Sequence, residues 1–307
     1  MSVTPEASVI IPAYRAIAQL DAALRSLERQ NYSAAFEVLV VNSGGQSYRY
    51  RTGRPNMAVR VLDFEDRLWP GAARNAGLRA ARGEIIAFMP ADALATRSWL
   101  AERVAAHEDG ADLVGGAVLN GRPHNVVARA EYLLEYSALM PNARLLREQD
   151  IPHALSFKRH VFDSVGAYPE ETTTGEDTIF NGRCLDAGLK AAFAPKAGLA
   201  HLGSKSLSEM WRHAFAHGVG LMQCAETFGL KSSIGGSEQG LGAAAIRMAV
   251  IYPVAGSIAK FKRLARFAPE RLLSYFALLP LIFSGQLATG VGAWFEYSRI
   301  RRSRLET

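Results

Sequence analysis

The first half of the chain alternates short apolar runs with amphipathic stretches. The apolar runs that predict strands lie at residues 7–12 (ASVIIP), 37–41 (EVLVV), 59–64, 84–89 (EIIAFM) and 112–119 (DLVGGAVL). Apolar residues at helical spacing predict helices at residues 17–27, 72–81 and 99–107. This alternation predicts an α/β fold, with a mostly parallel sheet covered by helices on both faces. Ligands of such sheets bind beyond the carboxyl ends of the strands, here residues 12–15, 42–45 and 90–94.

The C-terminal fifth of the chain is apolar and basic. Residues 272–295 carry no formal charge and are long enough to span a bilayer. Both flanks are basic, and since basic flanks stay cytoplasmic, a single crossing would export one of them. Pro280 and Gly285 permit a break, so the pattern predicts a re-entrant or interfacial pair of helices, with residues 247–259, broken at Pro253, as another interfacial piece. The alternative is a buried helical pair, in a globular domain or at a homo-oligomer interface.

Composition and charge narrow the class of protein. The 307 residues are 49% hydrophobic and 21% charged, which excludes a disordered chain and a coiled coil. Residues 243–307 hold ten Lys/Arg and three acids, a charge of +7, whereas the rest carries 25 basic against 26 acidic residues. Basic charge concentrated beside apolar sequence favours an anionic membrane surface over a nucleic acid as partner. Two cysteines exclude a disulfide framework, and the start of the chain lacks the pattern of a signal peptide.

Seven segments follow one known pattern in the right order. They are SVIIPAYR (8–15), EVLVVNSGG (37–45), PGAARNAGLRAARGEIIAFMPAD (70–92), FKRHVFDSVGAYPE (157–170), GEDTIFNGRCLDAG (175–188), APKAGLAHLG (194–203) and SLSEMWRHAFAHGVG (206–220). Together they resemble the family 2 glycosyltransferases, which are inverting enzymes with the GT-A fold. The resemblance implies a nucleotide-sugar-binding half at residues 1–118 and an acceptor and catalytic half at 119–233. A Gly-rich linker and membrane-associated helices would follow at 234–307.

The resemblance also implies a donor site at the ends of the first two strands. Pro12, Ala13 and Tyr14 end the first strand, where the family holds the nucleotide base. Asn42 and Ser43 lie where the family usually has two aspartates, one of which pairs with the base. An amide at position 42 can still donate and accept hydrogen bonds, so base recognition is expected in altered form.

Arg74 matches the Ala-Arg-Asn stretch that the family places near the donor, although a solvated helix cation is the alternative. The family's metal motif, Asp-x-Asp, stands here as Pro90-Ala91-Asp92. One carboxylate can suffice, because Mg²⁺ or Mn²⁺ takes much of its coordination shell from water and phosphate oxygens. His201 matches a histidine that helps the family to bind the metal or the diphosphate. The resemblance therefore implies a divalent cation at Asp92 and His201.

The segment at 174–187 carries the candidate catalytic residues. From the residues alone, Thr174 and Asp177 form a capping box at the start of a helix. The resemblance instead makes Asp177 the general base and Glu176 its neighbour in the site. A carboxylate in the first turn of a helix stays ionised because of the helix dipole, as a base must.

The segment at 206–220 borders the acceptor and the diphosphate in the family. Trp211, Arg212 and His213 are therefore candidates for those contacts, with packing and surface roles as the alternative. His213 and His217 are also four residues apart on a predicted helix, a spacing that can bind a metal. No HExxH motif is present, which disfavours a zinc protease.

The expected function is transfer of a sugar from a nucleotide-sugar donor to a lipid-linked glycan or polysaccharide precursor at the cytoplasmic face of the cell membrane. The first alternative is a GT-A-like scaffold or binding protein without activity, because aspartates are missing at positions 42, 43 and 90. The second is a sugar nucleotidyltransferase, which is disfavoured because no Gly-rich basic loop follows the first strand.

Overall fold

The computed structural model describes residues 4–142, 156–228 and 240–306 of the chain. The backbone divides into two compact units. The first comprises the described residues of Met1–Gly121, Pro141–Glu170 and Phe180–Leu202; the second comprises those of Arg122–Met140, Glu171–Ile179 and Gly203–Thr307. The division into segments 1–118, 119–233 and 234–307 concerns roles and stays a prediction. Most of the Gly-rich segment 234–242 lies outside the described residues.

The first unit contains one eight-stranded sheet, ordered β3-β2-β1-β4-β7-β6-β8-β5. Its strands are β1 (Ala7–Tyr14), β2 (Phe36–Ser43), β3 (Met57–Phe64), β4 (Ile85–Phe88), β5 (Ala93–Ala95), β6 (Leu113–Asn120), β7 (Ser156–Lys158) and β8 (Ala191–His201). Strands β1 to β4 run parallel, as do β6 and β8, whereas β5 and β7 pair antiparallel with their neighbours. The predicted α/β fold with a mostly parallel sheet is confirmed.

Ten α-helices occur among the described residues. They are α1 (Ile17–Glu28), α2 (Pro70–Ala80), α3 (Trp99–Glu108), α4 (Val126–Glu135), α5 (His160–Val165), α6 (Glu176–Asp186), α7 (Leu207–Phe228), α8 (Leu241–Ile246), α9 (Tyr252–Phe267) and α10 (Leu272–Glu306). Because side chains alternate along a strand, β1 serves two apolar clusters. Val9 and Ile11 pack in one cluster with Leu24 of α1. Ile10 packs in the other with Phe180 of α6. Both faces of the sheet are therefore covered.

The second unit is helical, and glycines let its helices approach closely. A Cβ on Gly218 of α7 would lie 2.0 Å from the carbonyl oxygen of Thr289 in α10. A Cβ on Gly292 of α10 would lie 2.1 Å from the carbonyl oxygen of Phe215. Both distances are impossible for a real side chain. The contact between α7 and α10 therefore requires glycine at these two positions.

The predicted break at Pro280 and Gly285 is wrong. Helix α10 runs through both residues as one 35-residue helix, with Pro280 inside it. A proline in a helix interior removes one backbone hydrogen bond, but the close packing of α10 outweighs that loss. Gly285 serves this packing, since a Cβ there would lie 2.5 Å from Leu134 Cδ2. Pro253 lies in the first turn of α9, directly after a π-helical turn at Arg247–Ile251.

Two helical segments of the second unit, Leu241–Phe267 and Pro269–Leu305, are long and apolar enough to cross a membrane. This rests on length and composition alone. About 28% of the residues in the most apolar 18-residue stretch of the first segment, and 33% in that of the second, are buried inside the protein. These helices suggest membrane association in general terms.

Candidate active site

A cavity of about 300 Å³ opens in the first unit at the carboxyl ends of β1 and β4. Its lining residues are Pro12, Ala16, Gln19, Pro70, Arg74, Pro90, Ala91 and Asp92. Three predicted site residues, Pro12, Arg74 and Asp92, therefore surround one cavity. Arg15, just beyond β1, has a φ of 49°, a left-handed conformation that is uncommon outside glycine, asparagine and aspartate. Such backbone strain tends to occur at functional sites.

Asn42 and Ser43 end β2 and are both buried. The Asn42 Nδ2 atom donates to Asp63 Oδ1 at 2.7 Å and to the Gln46 carbonyl oxygen at 2.5 Å. Ser43 Oγ donates to the Ala13 carbonyl oxygen at 3.3 Å. The Asn42 amide nitrogen and the Ser43 hydroxyl therefore donate hydrogen bonds to neighbouring protein atoms. The base-contacting role predicted for Asn42 would rest on its carbonyl Oδ1.

Asp63 ends β3 opposite Asn42 in the sheet register and was not predicted from the sequence. About a third of its side chain is exposed. Burial alone would raise the pKa of this carboxyl, but hydrogen bonds from Asn42, Arg49 and Ser47 outweigh it and lower the pKa. Asp63 is therefore an ionised, oriented and accessible carboxylate at the carboxyl end of the sheet.

Tyr14 ends β1 with a partly exposed ring. The guanidinium of Arg67 lies 4.4 Å from the Tyr14 ring centroid and 3.7 Å from that of Trp69. Gly44 has a φ of 99°, and a Cβ there would lie 2.9 Å from Tyr14 Cε2. Glycine is therefore required beside the ring. The resulting aromatic and cationic surface was missed by sequence reasoning, apart from Tyr14 itself.

Arg74 lies in α2, on the wall of the cavity. Its guanidinium lies 5.1 Å from the Tyr168 ring centroid and 5.7 Å from that of Phe88. The next residue, Asn75, is buried, and its side chain exchanges hydrogen bonds of 2.9 and 3.0 Å with the backbone of Tyr168. Arg74 is thus held against aromatic rings by a fixed helix, an arrangement unlike a freely solvated cation.

Asp92 and His201 are neighbours because β5 pairs with β8, which sets Ala93 opposite His201. Asp92 Oδ2 lies 3.5 Å from His201 Nε2, and 45% of the Asp92 side chain is exposed. One accessible carboxylate and one imidazole fit a divalent cation that takes its other ligands from water and phosphate. No group of three or more His, Cys, Asp or Glu side chains suited to a metal occurs among the described residues. Such a cation would therefore have two protein ligands here.

In the second unit, Glu176 and Asp177 begin α6 directly after Gly175. Gly175 has a φ of 84°, and a Cβ there would lie 2.6 Å from Cys224 Sγ. The thiol of Cys224 donates to the Thr174 carbonyl oxygen at 3.4 Å. Burial raises the pKa of this thiol to about 12, and the nearby Asp177 carboxylate adds to the rise. Cys224 is therefore an unreactive packing residue beneath the candidate base.

A chain of hydrogen bonds connects the segment before α6 to helix α10. Gln223 Oε1 accepts from Thr173 Oγ1 at 2.8 Å, and Gln223 Nε2 donates to Glu296 Oε1 at 3.1 Å. The buried Glu296 also accepts from Arg299, at 2.6 and 3.0 Å. Asp177 itself accepts from the Thr178 backbone N–H at 2.8 Å. Helices α7 and α10 thus fix the loop that carries the candidate base.

Trp211 and Arg212 are exposed on α7. Trp211 Nε1 donates to Ser284 Oγ at 3.0 Å, and Arg212 Nε lies 3.4 Å from the Ser208 carbonyl oxygen. Trp211 is 43% exposed, so part of its ring faces solvent. Their assignment to the acceptor stays a prediction.

His213 is held by a buried glutamate. Its Nδ1 atom lies 2.8 Å from Glu131 Oε1, which Ser204 Oγ also contacts at 2.8 Å. Burial alone would raise the pKa of Glu131, but the hydrogen bonds from His213 and Ser204 outweigh it and lower the pKa to about 2. Glu131 is thus an ionised carboxylate that fixes the His213 ring. The sequence motif around His213 gave no sign of this partner, which lies on α4.

The chain is similar to known glycosyltransferases. A family model described as "Glycosyl transferase family 2" matches residues 8–166. Glycosyltransferase AglE of Haloferax volcanii is 28% identical over 230 residues, which cover 72% of this chain and 75% of that protein. Succinoglycan biosynthesis protein ExoO of Rhizobium meliloti is 25% identical over 68% of this chain and 64% of its own length. The mannosyltransferase PcManGT from Pyrobaculum calidifontis, solved in complex with GDP-Man and Mn²⁺, has a TM-score of 0.52 and 20% identity, covering 92% of this chain and 86% of that one.

Proposed function

Because the chain belongs to glycosyl transferase family 2 and is a glycosyltransferase of the GT-A fold, we propose that it moves a sugar from a nucleotide-sugar donor to an acceptor hydroxyl with inversion. The observation that carries this proposal is the cavity at the carboxyl ends of β1 and β4. Arg74 and Asp92 both line it, and they supply a cation and a metal-ligating carboxylate for a diphosphate. PcManGT, which shares the fold, binds GDP-Man.

The nucleotide base would be held at the ends of β1, β2 and β3. Pro12 and Ala13 set the course of β1, and the partly exposed ring of Tyr14 offers a face for stacking. The Asp63 carboxylate, oriented by Asn42, can accept a hydrogen bond from a ring N–H of uracil or guanine. Asp63 thereby supplies the carboxylate that positions 42 and 43 lack, and buried Ser43 has the structural role of joining β2 to β1.

The diphosphate would be bound by Arg74 and by a cation. The residues that would hold Mg²⁺ or Mn²⁺ are Asp92 and His201, 3.5 Å apart. When bound, the cation supplies positive charge that neutralises the departing nucleoside diphosphate. Mn²⁺ in the PcManGT complex supports the use of a divalent cation, and the imidazole ligand favours Mn²⁺ over Mg²⁺.

Asp177 would be the general base. The acceptor oxygen attacks the anomeric carbon, its proton passes to the Asp177 carboxylate, and the bond from that carbon to the diphosphate oxygen breaks. The electron pair of that bond leaves with the diphosphate. Because the acceptor oxygen attacks from the face opposite the leaving diphosphate, the anomeric configuration is inverted. Glu176, which is buried beside it, would shape the start of α6, and the α6 dipole would keep Asp177 ionised. Trp211, Arg212 and His213 would contact the acceptor or the diphosphate.

The acceptor would be a glycan or a lipid-linked precursor at the cytoplasmic face of the membrane. An exposed apolar ridge that runs from α8 through the π-helical turn into α9 supports this. Its side chains follow at four-residue spacing: Ile246 (52% exposed), Val250 (67%), Val254 (55%) and Ile258 (50%). Exposed basic residues Lys262 and Arg266 continue the same helix. An apolar ridge beside basic charge fits the surface of an anionic bilayer. The similarity to ExoO supports a polysaccharide pathway.

A panel of nucleotide sugars tests the donor assignment. The expected result is that one donor raises the melting temperature of the protein, because a ligand that binds only the folded state stabilises it. Slow hydrolysis of that donor to nucleoside diphosphate would identify an active transferase. Binding without hydrolysis or transfer would favour the inactive-scaffold alternative, which the missing aspartates at positions 42, 43 and 90 motivate. Release of pyrophosphate would indicate a nucleotidyltransferase.

A further inference from the structure

His213 and His217 form a pair one helical turn apart on α7. Their Nε2 atoms lie 3.0 Å apart. The two rings are nearly perpendicular, at 87°, and their centroids are 4.5 Å apart. Both side chains are about 40% exposed, so solvent reaches part of each ring.

Each histidine is backed by a glutamate from α4. His213 Nδ1 lies 2.8 Å from Glu131 Oε1, and His217 Nδ1 lies 3.9 Å from Glu135 Oε2. The two glutamates are also one turn apart, so Glu131 lies beside His213 and Glu135 beside His217. The Glu131 carboxylate at 2.8 Å fixes the His213 tautomer that leaves Nε2 as the ligating atom and raises its basicity, as in metal-bound histidines. Glu135, at 3.9 Å, lies beyond hydrogen-bond distance of His217 and adds negative charge beside the pair.

We propose that His213 and His217 bind a divalent transition-metal ion through their two Nε2 atoms, independently of the Asp92–His201 pair. The two nitrogens are 3.0 Å apart. With an ion ~2.1 Å from each of them, the N–metal–N angle would be about 90°. This is the angle between adjacent ligands of an octahedral ion. Water or an anionic group of a substrate would fill the remaining positions, since no third protein ligand is present among the described residues.

The ligand set decides which ion binds. Imidazole nitrogens suit Ni²⁺, Co²⁺ and Zn²⁺, whereas Mg²⁺ prefers oxygen ligands. The affinity should therefore rise from Mn²⁺ through Co²⁺ to Ni²⁺. The competing interpretation is a proton shared between the two nitrogens as an N–H···N hydrogen bond, with no metal bound.

Isothermal titration of untagged full-length protein with Ni²⁺ tests the site. The starting protein carries Asp92→Asn and His201→Asn, so that the other proposed cation site is removed. One equivalent of Ni²⁺ should bind and raise the melting temperature. Adding His217→Gln should abolish this binding. Adding His124→Gln instead, at an exposed histidine of the same unit, should leave it intact.

Glu131→Gln supplies a second variant in case His217→Gln does not fold, as judged by circular dichroism. Loss of the carboxylate that holds His213 should weaken Ni²⁺ binding by about 10-fold or more. The proposal is overturned if the starting protein binds no Ni²⁺, if His217→Gln binds it as tightly as the His124→Gln control, or if Mg²⁺ binds as tightly as Ni²⁺. Since the readout is binding of the ion alone, its failure would leave the proposed transferase activity untouched.

Discussion

The Asn42 side chain donates a 2.7 Å hydrogen bond from Nδ2 to Oδ1 of Asp63, across the neighbouring strands β2 and β3. The family pattern implies two aspartates at positions 42 and 43, at the end of β2, where this chain has an amide and a hydroxyl. In this chain the carboxylate stands one strand further along, and the amide at position 42 orients it. At the carboxyl ends of β2 and β3, Asp63 thus provides the carboxylate and Asn42 orients it.

Asp63→Asn should weaken donor binding by roughly tenfold or more, since a hydrogen bond to a charged group contributes about 1.5–3 kcal/mol. The physical reason is that the amide lacks the negative charge that the nucleotide base would meet. Calorimetric titration with the nucleoside diphosphate measures the effect. Asp109→Asn, at an exposed aspartate after α3, is the matched control. Equal affinity of the two variants would refute the role of Asp63.

Asp92→Asn should abolish metal-dependent donor binding while keeping the shape of the side chain. The reason is that Asp92 supplies the only carboxylate of the pair with His201. Titrations of the donor with Mn²⁺ and with a chelator give the measurement. In the wild-type protein the chelator should lower the affinity; in the variant it should change nothing. Wild-type protein that binds the donor equally well with chelator would show that the cation assignment is wrong.

The apolar ridge on α8 and α9 should bind anionic vesicles. Val250→Glu with Val254→Glu places two charges on side chains that are 67% and 55% exposed, so the fold should be unaffected. Pelleting with vesicles should fall by roughly tenfold or more, because two apolar side chains that would be buried in the lipid are replaced by charges. Val126→Glu, at a valine that is 52% exposed on α4, is the control. Equal pelleting of all proteins would count against the ridge.

Most elements could be predicted from the sequence because their apolar pattern is long enough to show a period. The strands β1 to β4 and β6, and the helices α1 to α3, follow the predicted ranges closely. Strands β5 and β7 have three residues each, too few for a periodic signal, and each exists only because a longer strand pairs with it. The break predicted at Pro280 was wrong because local propensity cannot register the packing of α10 through Gly218 and Gly292.

Sequence motifs pointed to some of the residues that line the cavity. Arg74 and Asp92, both singled out from the sequence, lie on its wall, and their roles stay predictions. Asp63 and Arg67 could not be predicted from the sequence. Strand register places Asp63 opposite Asn42, and the fold places the Arg67 guanidinium over the Tyr14 ring. The pairing of Glu131 with His213 could not be predicted either, because the two residues are 82 positions apart in the sequence.

His107 should make the first unit sensitive to acid. Burial lowers its pKa from 6.5 to about 4, while its Nδ1–H donates to the Ala111 carbonyl oxygen at 3.0 Å. Because the folded-state pKa is the lower one, the neutral ring contributes stability above pH ~6.5 that is lost as the pH falls towards ~4.

The loss should reach about 3 kcal/mol in the free energy of unfolding. Urea denaturation at pH 7, 6, 5 and 4 gives that dependence, and His107→Gln should flatten it. His124→Gln, which changes an exposed ring, should keep the wild-type slope. An unchanged slope in His107→Gln would mean that other groups cause the acid sensitivity.

Asp177→Asn tests whether Asp177 is the general base. The amide keeps the shape and can still accept from the Thr178 N–H, but it cannot take a proton. Turnover, donor affinity and melting temperature are measured on one preparation, with Asp186→Asn at the other end of α6 as control. We expect a folded, donor-binding protein whose turnover falls by about 10²–10⁴-fold. An Asp177→Asn protein that melts earlier but turns over like the wild type would contradict it and leave Asp177 as a helix-capping residue.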